Sequence, residues 1–210
     1  GPPELTISMA ELDATIDRLY HELALPGDAI VTRGAPTKTL ASSTILSYLG
    51  ISGIFIPFTG EPSVNALQPD VALPLVVAHE KAHQRGITHE GEANFVAFLV
   101  CASESAPDYL RYAAHLFATR HLLEEAGRYW PNEEAREAWA FLGDGPMQDI
   151  RAIHEFWQRY EGPASAIASR VNDGYLHAVR VPKGVESYTL VVRLLMALEQ
   201  EGKFLLEDQI

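Results

Sequence analysis

The sequence lacks several features that would point to particular classes of protein. It has one cysteine, Cys101, so no disulfide can form within the chain. No apolar run reaches the roughly 18 residues that a membrane-spanning helix requires, and no internal repeat is present. The 28 acidic residues outnumber the 16 basic ones, which gives a formal net charge of −12. Because no basic stripe is available to neutralise phosphates, we expect no nucleic-acid partner.

The remaining composition is that of an ordinary globular protein. The chain has 210 residues, of which 47% are hydrophobic and 21% are charged. This length suits one domain with a buried core, and no long linker divides the sequence. We therefore predict a single domain over residues 1–210.

Helical spacing dominates the hydrophobic pattern. From Ser8 to Leu23, apolar residues recur at helical intervals behind a capping box formed by Ser8 and Glu11. Similar patterns predict further helices near 42–48, 88–102, 107–129, 147–160, 165–173 and 185–201, with another that begins at Pro131. The sequence thus predicts a mostly helical protein.

One segment is typical of strands instead. Residues 51–58 are rich in isoleucine and phenylalanine and are interrupted by glycine and proline, which predicts one or two edge-type strands. Such a strand either pairs with an extended substrate or simply covers the core. The predicted fold class is α+β, mostly helical, with a small sheet.

The most informative segment is His79-Glu80-Lys81-Ala82-His83. On a helix, residues four apart lie on one face, so His79 and His83 can bind the same ion. Glu80 then lies beside the ion, where it can accept a proton from a metal-bound water. Two histidines at this spacing also occur as a solvated surface pair. The apolar run at 71–78 favours a buried, ligand-bearing helix, with Zn²⁺ as the metal and Glu80 as a catalytic base.

A third protein ligand must follow, and the sequence offers His89, Glu90 and Glu92. Gly86 can adopt the left-handed conformation that ends a helix. If His89 is the ligand, the run from His79 through Gly86 to His89 matches the metzincin signature. Glu92 points away from Glu90 around a helix and is the weakest of the three candidates.

The alternative assigns Glu90 as the ligand and Asn94, one helical turn later, as an acceptor for the ring N–H of His79. Thr88 would then cap the helix that carries both. The spacing of Glu90 and Asn94 is similar to that of the glutamate ligand and its supporting acid in thermolysin-like zincins, the gluzincins. A metzincin would need a methionine turn below the metal, and the later methionines do not supply an evident one. We favour Glu90.

Five segments together are similar to those of a known family: GIFIPFTGEPSVN (53–65), HEKAHQRG (79–86), EGEANF (90–95), VNDGYL (171–176) and GVESY (184–188). In this order they resemble a bacterial family catalogued as domain of unknown function 3810, from about Ser42 to Leu198. The resemblance implies a zincin-like metallopeptidase domain with an active-site helix. It also supports Glu90, because that family does not rely on histidine at the position of His89.

Members of that family are membrane-anchored, which bears on localisation. The chain begins with Gly1-Pro2 rather than with methionine. We therefore expect the natural protein to continue upstream into transmembrane helices that are missing here. The resemblance then implies a membrane-associated protein whose catalytic domain lies at an extracytoplasmic membrane surface.

A zinc peptidase also needs a group that stabilises the oxyanion, normally a tyrosine or a histidine. Tyr175 and Tyr188 lie within the family-like segments and are the preferred candidates, ahead of His177. A tyrosine at a helix end is also a common packing residue with a solvated hydroxyl.

These observations predict a zinc-dependent, gluzincin-like peptidase. His79, His83 and Glu90 bind Zn²⁺, Glu80 is the general base, and the substrate is a peptide or a protein. The alternative is a metal-stabilised binding or sensor domain without turnover, in which zinc contributes to folding.

Overall fold

A computed structural model describes residues 7–23, 34–162 and 184–200, and in the last range it describes side chains from 190 onward. The described helices are α1 (Met9–Leu23), α2 (Ser43–Tyr48), α3 (Leu73–Gln84), α4 (Glu90–Cys101), α5 (Asp108–Ala126), α6 (Asn132–Phe141), α7 (Asp144–Gln158) and α8 (Gly184–Gln200). The strands are β1 (Lys38–Thr39), β2 (Gly53–Ile56) and β3 (Glu61–Val64). The protein is mostly helical with a small sheet, as predicted. Within the described ranges, no helix is both long enough and apolar enough to span a membrane.

The first helix begins where the sequence predicts. The backbone N–H of Ser8 donates to Glu11 Oε2 at 2.8 Å, and the N–H of Glu11 donates to Ser8 Oγ at 3.3 Å. This capping box satisfies two donors that an α-helix leaves without partners in its first turn. Behind it, Leu12, Ile16 and Leu19 are buried, and each contributes roughly 1.5–3 kcal/mol by leaving water.

The sheet has the strand order β1-β3-β2. Strand β1 runs parallel to β3, with Lys38 opposite Ser63, whereas β2 runs antiparallel to β3, with Gly53 opposite Val64. Strand β2 is therefore at an edge of the sheet among the described strands, as the sequence predicts for this segment. Strands β1 and β3 were not predicted. Strand β1 has two residues paired to a distant strand, which leave no pattern of their own, and β3 lies beyond the predicted segment 51–58.

Helix α3 lies at the centre of the molecule. It packs against α1, α4 and α5 on its helical side and against β2 and β3 on its sheet side. Val77, Ala78 and Ala82 are fully buried in the main hydrophobic core. The segment from His79 to His83 is thus carried into the interior, because the helix that holds it is covered on several sides.

A buried ionic cluster attaches α1 to α3. Lys81 is 0% exposed, and its Nζ lies 2.9 Å from Asp13 Oδ1 and 2.8 Å from Asp17 Oδ1. Arg85 donates to Asp17 Oδ1 at 2.7 Å and covers the ring of Tyr20. Since a buried ammonium without a partner is very costly, this cluster fixes the position of α1 relative to the motif.

Three local predictions need correction or lie outside the structure. The helix predicted at 147–160 begins three residues sooner, because α7 already starts at Asp144. Gly143 adopts φ 72°, and Pro146 lies in the first turn, where no backbone N–H is needed. The N-terminal cap of α4 is His89 rather than Thr88. The helix predicted at 165–173 lies outside the described residues.

Candidate metal centre

Three side chains from α3 and α4 converge at the start of α4. His79 and His83 are one turn apart on α3, and their Nε2 atoms lie 3.0 Å apart. Glu90, the first residue of α4, places Oε2 at 3.2 Å from His79 Nε2 and Oε1 at 3.5 Å from His83 Nε2. One ligand atom from each of these three side chains lies within 4.8 Å of the others, which is close enough for all three to bind one ion.

The turn after α3 determines which nitrogen of His83 faces the cluster. Gly86 has φ 88°; its N–H bonds to His83 O, and the N–H of Ile87 bonds to Ala82 O, which together form a Schellman motif. The carbonyl of Ile87 is thereby turned back, and it accepts a hydrogen bond from His83 Nδ1 at 2.7 Å. Because a carbonyl can only accept, Nδ1 carries the proton, and in neutral His83 the lone pair of Nε2 faces the cluster.

The separations of the donor atoms suit a zinc ion. A tetrahedral Zn²⁺ with bonds of about 2.0–2.1 Å holds its donor atoms roughly 3.3 Å apart. The three separations here, 3.0, 3.2 and 3.5 Å, lie close to that value. Two imidazoles and one carboxylate also form the ligand set of zinc sites that leave a fourth position for water. The residues present therefore fit zinc.

The electrostatics of the cluster favour a charged carboxylate. Burial raises the pKa of Glu90, but hydrogen bonds from His79 and His83 outweigh it and hold the pKa far below its usual value. Burial lowers the pKa of His83, but once Nε2 is protonated it can donate to the Glu90 carboxylate, and this hydrogen bond leaves the net pKa raised. Without a metal ion, Glu90 is therefore ionised and its negative charge attracts cations. A proton competes with a metal ion for the nitrogens of the two histidines.

Glu80 occupies a different environment from Glu90. It is 4% exposed, and burial raises its pKa to about 7, although His79 and His83 oppose the shift. The backbone of β2 runs directly against it, since a Cβ built on Gly53 would lie 2.5 Å from Glu80 Oε1. Glycine at position 53 thus provides the space in which the carboxylate of Glu80 lies, between α3 and the edge strand.

A cavity of about 380 Å³ opens beside the cluster, and both His79 and Glu90 line it. Asn94 lines it as well. The buried Nδ1 of His79 has no hydrogen-bond partner among the described residues. The predicted hydrogen bond from His79 to Asn94 is therefore not formed in this structure, although both side chains border the same space.

The predicted site residues fall into three groups. His79, His83 and Glu90 are brought together, and His89 is not part of their cluster in the described chain. Tyr175, like His177, lies outside the described residues. Tyr188 lies within α8, but its side chain is outside the described part of the structure.

Sequence reasoning missed two contributors to the site. Ile87 acts through its backbone carbonyl, which no side-chain pattern can predict. Lys81 was not singled out, although a lysine between two motif histidines on a buried helix is a usable signal, because it requires acidic partners elsewhere. Its partners Asp13 and Asp17 lie on α1.

Comparison with known proteins agrees with the resemblance read from the sequence. A family model described as "Protein of unknown function (DUF3810)" matches residues 4–196. No curated protein and no solved structure matches the chain. Because the matched region includes the whole of the histidine and glutamate cluster and nearly the entire sequence, the chain belongs to the DUF3810 family.

Proposed function

We propose that this protein is a zinc-dependent peptidase of gluzincin type. The observation that carries the proposal is the convergence of His79, His83 and Glu90, with a buried carboxylate, Glu80, on the same helix. Structural zinc sites usually have four protein ligands, whereas three ligands beside an open cavity are typical of catalytic sites.

The residues divide the chemistry between them. His79, His83 and Glu90 would hold Zn²⁺, which supplies Lewis acidity and lowers the pKa of a bound water. Glu80 accepts the proton of the attacking water and then delivers it to the nitrogen of the leaving amine. The hydrogen bond to Ile87 O keeps His83 in the tautomer that this arrangement needs.

The edge strand offers a way to orient a peptide. Strand β2 has β3 on one side and no other described strand on the other, and its Gly53 backbone contacts Glu80. An extended peptide that adds to this edge would pass alongside the carboxylate. Strand addition therefore brings a scissile bond to the base through main-chain hydrogen bonds, without a requirement for one particular side chain.

The test is Glu80→Gln, assayed with zinc analysis and with hydrolysis of a mixed peptide library. We expect zinc to be retained and kcat to fall by about 10²–10⁴-fold, since the base is lost but the ligands remain. Glu92→Gln is the matched control, because Glu92 is exposed on α4 and should leave both measurements unchanged.

Two outcomes would contradict the proposal. Undiminished turnover in Glu80→Gln would remove the assigned base. If the unaltered protein binds zinc and melts at a much lower temperature after chelation, yet cleaves no peptide, the metal-stabilised binding or sensor domain is the better description.

A further inference from the structure

The cavity beside the metal centre has mostly apolar walls. Helix α3 contributes Leu75 and Val76, and α7 contributes Ile150, Ile153 and Trp157 from successive turns of one face. At about 380 Å³ it falls within the usual size of small-molecule sites. Such a wall suits a large apolar side chain.

One cationic group also reaches this cavity. Arg120 of α5 lines it, and its side chain is 28% exposed. Its ion pair with Glu124 is long, with 3.9 Å between Nε and Oε1, beyond hydrogen-bond distance. Its Nη2 lies 3.3 Å from His121 Nε2, a contact that uses one donor at most. Because a guanidinium has five N–H donors, others remain for a ligand.

The two charged groups of the described lining are not paired with each other. The one carboxylate of its described lining belongs to Glu90, which is held between His79 and His83. Burial lowers the pKa of His121, so His121 stays neutral at pH 7 and adds no charge. The counter-ion of Arg120, Glu124, lies 3.9 Å from Nε and outside the described lining, so the guanidinium can also pair with an anionic ligand in the cavity.

We propose that this cavity binds the C-terminal residue of a peptide, with a large apolar side chain against α7 and the terminal carboxylate on Arg120. The inference rests on the proposed function only where it names the preferred substrate, a peptide that ends in an apolar residue. Binding itself needs only the cavity, and it can be measured without any cleavage.

The experiment is a calorimetric titration of the purified protein with N-acetyl-L-phenylalanine and, separately, with its amide. We expect the carboxylate to bind about tenfold more tightly than the amide, because one charge-assisted hydrogen-bond pair is lost on amidation. In Arg120→Gln this preference should disappear. The matched control is Arg151→Gln, since Arg151 is exposed on α7 and does not line the cavity.

A second variant tests the apolar wall. Ile153→Trp fills the cavity and should weaken both ligands equally, whereas Ala152→Trp, on the exposed side of α7, should weaken neither. Equal binding of acid and amide, or a preference that survives in Arg120→Gln, would overturn the inference. A protein that keeps the predicted binding but hydrolyses nothing contradicts the peptidase proposal alone. One that hydrolyses peptides without the acid preference contradicts the cavity assignment alone.

Discussion

The backbone of Gly53 lies so close to the carboxylate of Glu80 that a Cβ at position 53 would stand 2.5 Å from Oε1 and 2.9 Å from Cδ of Glu80. The edge strand and the proposed base therefore share one surface. Because position 53 has no side chain, a peptide aligned on β2 could lie next to the carboxylate of Glu80 that transfers the proton.

Gly53→Ala should damage activity more than stability. The added methyl group must displace Glu80 or β2, which costs about 1–3 kcal/mol as overpacking and, by misplacing the base, lowers kcat up to about a hundredfold. Peptide hydrolysis and urea unfolding measure the two effects. In Gly145→Ala the new Cβ meets nothing within 4 Å, so this control should keep full activity. Wild-type kcat in Gly53→Ala would show that the close approach is irrelevant.

Gly86→Ala should weaken zinc binding although it replaces none of the proposed ligands. At φ 88° an alanine costs roughly 1–2 kcal/mol, and relief of that strain moves the Ile87 carbonyl away from His83 Nδ1. Loss of such a supporting hydrogen bond lowers metal affinity about 10–100-fold. Competition titration with a chelating dye measures the affinity. An unchanged zinc affinity in a folded Gly86→Ala protein would argue against the role of the turn.

Alanine substitutions separate the two candidate third ligands. Glu90→Ala should reduce zinc affinity by more than about a hundredfold. Loss of a residue that only supports a ligand lowers affinity by up to about that factor, and loss of the ligand itself should cost more. His89→Ala should leave it unchanged, because His89 lies outside the cluster and makes no side-chain cap hydrogen bond at the start of α4. Metal content after dialysis gives the answer. The reverse pattern would favour the metzincin-like arrangement.

Asp13→Asn should destabilise the protein in a pH-dependent way. Burial raises the pKa of Asp13, but hydrogen bonds with Thr37 and Lys81 outweigh it, so the net pKa lies below the ordinary 3.8. A lowered carboxyl pKa adds stability above the unfolded value, and this stability is lost as the pH falls through the folded value. We expect a loss of about 2–3 kcal/mol at pH 7, below the usual cost of breaking a buried pair because Asp17 still partners Lys81.

Urea unfolding at pH 7 and at pH 3 measures this dependence. The difference between the unaltered protein and Asp13→Asn should shrink at the lower pH, because pH 3 is below the pKa of the Asp13 carboxyl in the unfolded chain and part of its stabilising effect is then lost. Asp108→Asn is the control, since the side chain of Asp108 is 93% exposed and its ion pair contributes little. An equal difference at both pH values would show that the charge of Asp13 is not what stabilises the fold.

Local sequence signals predicted much of the fold and the centre of the site. The Ser8 and Glu11 capping box, the left-handed Gly86 and the buried helix with His79 and His83 all depend on residues within a few positions of one another. Local patterns of this kind are readable because a helix turn repeats every 3.6 residues.

Long-range pairings were not predicted. Lys81 bonds to Asp17 across 64 sequence positions, and β1 pairs with a strand that lies more than twenty positions away. The cavity that joins Arg120 to Trp157 also exists only once α5 and α7 pack together. A single sequence contains no periodic signal for such contacts, which depend on how the elements pack.

The most direct test of the central claim is zinc K-edge X-ray absorption on the protein loaded with one equivalent of Zn²⁺. We predict two imidazole nitrogens at about 2.0–2.1 Å together with oxygen ligands, the loss of one imidazole in His79→Ala, and an unchanged spectrum in Glu80→Gln. A spectrum with fewer than two imidazoles in the unaltered protein, or one that His79→Ala leaves unchanged, would contradict the account.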